Sequence, residues 1–308
     1  MLNLERTAPD ESDPFGPSVV ALGGGHGLSV ALRAARQYAG SITAVVSVAD
    51  DGGSSGRLRR DLDVPAPGDL RKCLVALAGD ATLWSKVFEH RFQTGELEGH
   101  ALGNLLIIGL TEALGDLPAA LREAGRLVEA VGRVLPATLD PVVIKADVDG
   151  HEVQGQVAVS EAGARGRIRG LHLVPRDVMA CPEAVDAIAH ADQILVGPGS
   201  LYTSLLAVSV VPEIRLALAL ARGRIVQVAN LRTESPETAG LDGTDHALAL
   251  LEHRVRVDTF LYDGAGSLAV NDAYLYEHGV MPVGADLTRS DSPEHDVTKL
   301  ATALRDLL

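Results

Sequence analysis

The chain has 308 residues and a net charge of −14, with four Phe, five Tyr, one Trp and two Cys. An acidic surface repels a polyphosphate backbone and so few rings offer little to stack on bases, so nucleic acid is excluded as a main partner. Cys73 and Cys181 lie far apart, as in a reducing compartment, no Cys/His spacing suits zinc, and no apolar run is long enough to span a bilayer.

Residues 1–17 are polar and acidic, unlike a secretion signal, and are expected to form a disordered tail on a cytoplasmic protein. Residues 18–308 are expected to form one α/β domain. Ser18–Leu22 reads as a buried strand that ends in a glycine loop, Leu28–Tyr38 as a helix, and Ile42–Val48 as a second strand. That order is a βαβ unit, the seed of an open, mostly parallel sheet. Residues 49–68 read as a long polar loop. Helices are expected at Asp69–Ala78, Thr82–Phe92, Ala101–Leu114 and Pro118–Val131.

The middle differs in pattern. Val142–Val148 and Glu152–Val159 alternate about Asp149-Gly150, a hairpin signal, and Ile168–Val174 adds a strand. Residues 140–175 therefore read as a small antiparallel insertion. The parallel pattern then returns. A helix over Pro182–His190 leads to a strand at Gln193–Val196. A helical stretch over Ser204–Ala221 breaks near Pro212. Strands follow at Ile225–Ala229 and Val257–Tyr262, and a closing helix over His295–Leu308.

The candidate binding residues fall where strands end. Gly23-Gly24-Gly25-His26-Gly27 joins a strand to a helix, where glycines admit a close ligand and free amides attract an anion. Leu28 stands at the third position of a G-x-G-x-x-G fingerprint, which counts against a standard dinucleotide loop and an NAD-binding oxidoreductase. After the second strand comes Asp50-Asp51-Gly52-Gly53-Ser54-Ser55-Gly56-Arg57. Its acids suit sugar hydroxyls or Mg²⁺, its Gly-Ser run suits phosphate, and Arg57, Arg59 and Arg60 add cations; a solvated surface loop is the alternative. Asp69 reads as a helix N-cap or as a group that orients a metal or hydroxyl. Arg71 and Lys72 sit in the same first turn, where positive charge opposes the helix dipole and an anionic partner would offset the cost. His100 and Asn104 share a helix face, in a structural or a binding role. Gly197-Pro198-Gly199-Ser200, with Thr203, repeats the strand–glycine–helix design, and Asn230 follows a further strand. Ser200 lacks the G-x-S-x-G context of a serine hydrolase.

Together, Gly23–Gly27, Ala49–Asp61, Pro67–Arg71, His100–Leu106 and Val196–Ser204 resemble the gluconeogenesis-factor (YvcK-like) family within the CofD-like superfamily. The resemblance runs from about Val19 to Thr203. His26 stands where that family carries Thr, and the 230–238 segment matches only in part. The resemblance implies a Rossmann-like fold with helices on both faces. It also implies binding of UDP-N-acetylglucosamine or a related nucleotide, and a regulatory link from gluconeogenesis to cell shape and wall synthesis through a protein partner. The transferase branch of the superfamily implies a second reading. There a phospholactyl group passes from a nucleotide diphosphate to a deazaflavin, with Asp50, Asp51 and Asp69 holding Mg²⁺. A homodimer is the expected assembly for a soluble chain of this kind.

Overall fold

A computed structural model of the chain describes residues 16–62, 64–79, 82–233, 236–289 and 292–308. The expected tail, apart from 16–17, lies outside the described residues, as do the Arg60 side chain and residues 234–235.

Seven parallel strands form the main sheet in the order β10-β9-β8-β7-β1-β2-β3. They are β1 (Ser18–Gly23), β2 (Ser41–Val46), β3 (Arg133–Pro136), β7 (Gln193–Val196), β8 (Arg224–Val228), β9 (Thr259–Asp263) and β10 (Met281–Ala285). The central strands are covered on both faces. Val19, Val20, Ala21 and Leu22 of β1 and Ile194, Leu195 and Val196 of β7 are all at most 1 % exposed. That is why they read as continuous apolar runs rather than alternating ones. Helix α1 (Gly25–Ala35) carries the chain from β1 to β2, and right-handed crossovers put it on one face. The connections from β7 to β8, β9 and β10 run the opposite way along the sheet and therefore cover the other face. The closing helix Val297–Arg305 returns to pack on α1. There Gln193 donates to the Leu304 carbonyl at 2.7 Å and accepts from the Tyr38 hydroxyl at 2.6 Å, so a buried amide is satisfied.

Between β2 and β3 stand five helices: α2 (Gly53–Leu62), α3 (Gly68–Leu77), α4 (Leu83–Glu89), α5 (Leu102–Leu114) and α6 (Leu117–Val128). Four match the expected stretches closely. The fifth, α2, replaces half of the expected polar loop. Its glycine content hid it, yet Ser54 and Ser55 are buried and the Gly56 amide donates to the Gly52 carbonyl at 2.9 Å. Gly56 is obligatory: a Cβ there would lie 1.8 Å from the Asp51 carbonyl oxygen.

The insertion is a three-stranded antiparallel sheet, β5-β4-β6, of β4 (Val143–Val148), β5 (His151–Gln154) and β6 (Ile168–Val174). Asp149 and Gly150 make its turn at φ 48° and 85°, as an Asp-Gly hairpin requires. The expected strand over Glu152–Val159 stops early, however. At Gly155 (φ 101°) the chain leaves the sheet and winds into α7 (Gln156–Gly163). The cause lies about a hundred residues away. The Asp51 carboxylate accepts the amides of Gln156 (2.9 Å) and Val157 (3.0 Å), and so caps this helix. Helix α8 (Pro182–Ala189) then leads into β7. No single helix among the described residues is long and apolar enough to cross a membrane.

Candidate functional site

The strand order reverses between β1 and β7. Crossovers leave these neighbours on opposite faces, so the loops at their carboxyl ends part and leave a crevice, the usual ligand position in open α/β sheets. Both glycine loops named from the sequence lie there. A Cβ on Gly27 would sit 2.3 Å from the Pro198 carbonyl oxygen, and one on Gly24 2.5 Å from the Asp69 carboxylate. Gly197, with φ 87°, turns the second loop so that Pro198 meets Gly27. Only glycine allows these segments to touch.

The two loops treat their helix ends differently. Gly24 is extended, Gly25 takes φ 65°, and α1 starts with no side-chain cap. The amides of Gly25, His26 and Gly27 have no carbonyl one turn back to bond, and these residues line a cleft of about 260 Å³. At the second loop the helical stretch from Leu201 is capped from within. Buried Glu237 accepts the Tyr202 amide at 3.1 Å and the Thr203 hydroxyl at 2.8 Å. Asn230 pins the loop between them, accepting from the Gly199 amide (2.9 Å) and donating to its carbonyl (3.0 Å).

Facing α1 across the cleft are Asp50, Asp69 and Lys72; Ser47, Gln156, Gly199, Ser200, Thr203 and Ser204 complete its lining. Lys72 donates to Asp69 at 2.9 Å. Burial pushes the Asp50 carboxyl above its usual range, while the Gly52 amide, donating at 2.9 Å, pulls the other way. Burial, then the Lys72 charge, lowers the His26 imidazole below its usual value. The pocket therefore sets neutral hydrogen-bond donors beside one cation, Lys72, and two carboxyl groups, Asp50 and Asp69. No Phe, Tyr or Trp lines it.

The family model for 2-phospho-L-lactate transferase CofD matches residues 19–303. The chain belongs to the CofD family. It is 38 % identical to the gluconeogenesis factor of Bacillus subtilis, over 95 % of this chain and 98 % of that protein. With the gluconeogenesis factor of Halalkalibacterium halodurans the identity is 43 %, over 77 % of this chain and 73 % of that one. A crystal structure of a UPF0052-family protein from Bacillus halodurans superposes with a TM-score of 0.89 at 36 % identity, covering 94 % of this chain and 99 % of that one.

Within this CofD-family chain, several residues expected in the pocket stand behind it. Ser54 bonds His100 Nδ1 at 3.0 Å and accepts from Asn104 at 3.2 Å, and Asn104 accepts from Arg71 Nε at 3.1 Å. Arg71 also donates to the Phe88 carbonyl at 3.3 Å. This buried chain ties α2, α3 and α5 together, and its members do not line the glycine-loop cleft. The expected anionic partner of Arg71 is thus replaced by neutral amide and carbonyl oxygens. Ser55 packs under Gly68, where a Cβ would lie 2.2 Å from its hydroxyl. Arg57 reaches away to the Glu98 carbonyl at 2.8 Å, and Arg59 bonds the carbonyls of Ala49 and Val142. Gly52 and Gly53 line an adjoining groove with Asp51.

The three-carboxylate Mg²⁺ set is not assembled. Asp51 spends both oxygens on α7, Asp69 is paired with Lys72, and no group of three or more His, Cys, Asp or Glu among the described residues is placed to hold a metal ion. The sequence did not single out Ser47, Gln156, Ser204 and Glu237, and the anionic partner it implied for Lys72 is, within the chain, the Asp69 carboxylate. Gln156 reaches the cleft only because Asp51 starts a helix there.

Proposed function

We propose that the chain is a nucleotide-sugar sensor whose glycine-loop cleft takes the diphosphate of a UDP-N-acetylglucosamine-type ligand. The uncapped amide end of α1 beside Lys72 carries this reading. Amides and one ammonium are the groups that hold a diphosphate, and the helix dipole adds to them. At about 260 Å³ the cleft falls just short of the usual range for whole small molecules. It suits the diphosphate, with sugar and base lying along the open groove to either side. The ligand reports on carbon and wall-precursor supply, and the loaded chain presents a changed surface to a protein partner. The names of the gluconeogenesis-factor relatives support the link to carbon supply. Calorimetry tests the reading. Saturable heat with UDP-N-acetylglucosamine, and recovery of the intact ligand, is the expected result; no heat with any UDP-sugar refutes it.

The family description favours one further reading, transfer of a phospholactyl group to a deazaflavin. The cleft gives such a ring no aromatic side chain to stack on. Product formed from donor, deazaflavin and Mg²⁺ would establish it over the sensor reading.

A further inference from the structure

A second cleft, of about 310 Å³, opens between β6, the helix Pro212–Leu220 and the C-terminal end of the helix Gly243–Glu252. It shares no lining residue with the glycine-loop cleft. Its charge runs against the composition of the chain. Arg176, Arg215 and Arg254 line it with His172 and His253, and Glu252 is the one acid in the lining. The guanidinium groups of Arg215 and Arg254 make no hydrogen bond or ion pair with the described residues. Arg176 donates to His172 Nε2 at 3.3 Å.

The local backbone holds this arrangement at some cost. Arg254 sits at φ 60°, and its amide donates to the Leu251 carbonyl while Val255 donates to Leu250. That is a Schellman helix end, where glycine or asparagine is the ordinary residue and any other side chain costs about 1 kcal/mol. His253 is fixed beside it. Its Nδ1 donates to the Ala249 carbonyl at 2.7 Å, and its Nε2 accepts the Leu171 amide at 2.9 Å. The three arginines supply the fixed positive charge of the cleft. A guanidinium fork matches phosphate oxygens two at a time. The volume suits a compact molecule rather than a whole nucleotide.

We propose that this cleft is a second anion site that binds a phosphate group, free or as a small phosphomonoester, through Arg176, Arg215 and Arg254. His172 provides a reporter within the cleft. Burial, then the Arg176 charge, lowers its imidazole below its ordinary value; Glu152 opposes and Lys145 adds to the lowering. A phosphate seated on the arginines favours the protonated ring, so binding raises that value.

The test is a proton NMR titration of the full chain with inorganic phosphate and, separately, glycerol 3-phosphate, with glycerol as control. The His172 resonance is assigned by its loss in His172→Gln. The expected result is a saturable shift, with His172 titrating at higher pH in the complex. Arg215→Gln/Arg254→Gln should weaken binding by about tenfold or more, since two charge-assisted contacts are lost. The charge-matched pair Arg122→Gln/Arg126→Gln, on exposed parts of α6, should leave it unchanged. A response to phosphate alone assigns the free ion, and a response to both admits the ester. A His172 resonance that ignores both probes, or that responds equally in Arg215→Gln/Arg254→Gln, overturns the proposal.

Discussion

The two glycine loops are built alike and end differently. Each follows a central strand, each opens a helical stretch, and they touch at Gly27 and Pro198. One helix end is closed by Glu237, while α1 has no side-chain cap. The same local sequence logic thus yields one helix end closed from within the chain and one left uncapped, both facing the cleft. What separates them is a carboxylate brought from elsewhere in the chain. A helix end tells which charge it favours; only the tertiary structure tells whether that charge comes from within.

The strongest way to break this comparison is to part the loops. Gly27→Ala places a methyl against backbone that cannot yield, and should destabilise the fold by about 3 kcal/mol or more in urea denaturation, with nucleotide binding lost. Unfolding within about 0.5 kcal/mol of the parent chain would show that the contact is not needed.

Removing the internal cap comes next. Glu237→Ala leaves the Tyr202 amide and Thr203 hydroxyl unpaired, at a cost of about 2 kcal/mol. Calorimetry on the folded protein should find UDP-N-acetylglucosamine affinity within about threefold of the parent, a difference under 1 kcal/mol.

Lys72, which faces the uncapped end of α1, should respond in the reverse sense. Lys72→Ala should weaken UDP-N-acetylglucosamine by about tenfold or more, as loss of a charge-assisted contact does. Its partly exposed pair with Asp69 contributes little, so stability should fall by less than about 1 kcal/mol. Equal losses of stability and affinity would make Lys72 a scaffold residue.

The smallest effect is a pH dependence. His26 is held below its ordinary value of 6.5 by burial first and Lys72 next. A diphosphate nearby raises it, so the complex takes up protons between the free and bound values. Affinity should therefore rise as pH falls through the bound value, and His26→Gln should flatten the profile. A parent profile that is already flat would place His26 away from the phosphates.

Much of this was readable in the sequence, for physical reasons. Buried parallel strands such as Val19–Leu22 announce themselves as apolar runs, and the loops that follow them mark the carboxyl edge. Asp149-Gly150 dictates a turn from two residues alone. The failures share one cause, side chains that act over long sequence distances. Helix α7 depends on Asp51, and the Leu201 helix end on Glu237. Ser54, Arg71, His100 and Asn104 look like ligand-binding groups because they are polar and follow strands or open helices. They satisfy one another in the interior instead. Composition could not distinguish a donor aimed at a ligand from one aimed at a neighbour.

Hydrogen exchange with and without UDP-N-acetylglucosamine tests the central claim most directly. The amides of Gly25, His26 and Gly27 should gain protection on binding, with Gly199–Ser204 less affected and His100–Asn104 unchanged. Protection centred on residues 52–57 and 100–104, with the first glycine loop unaffected, would contradict the account.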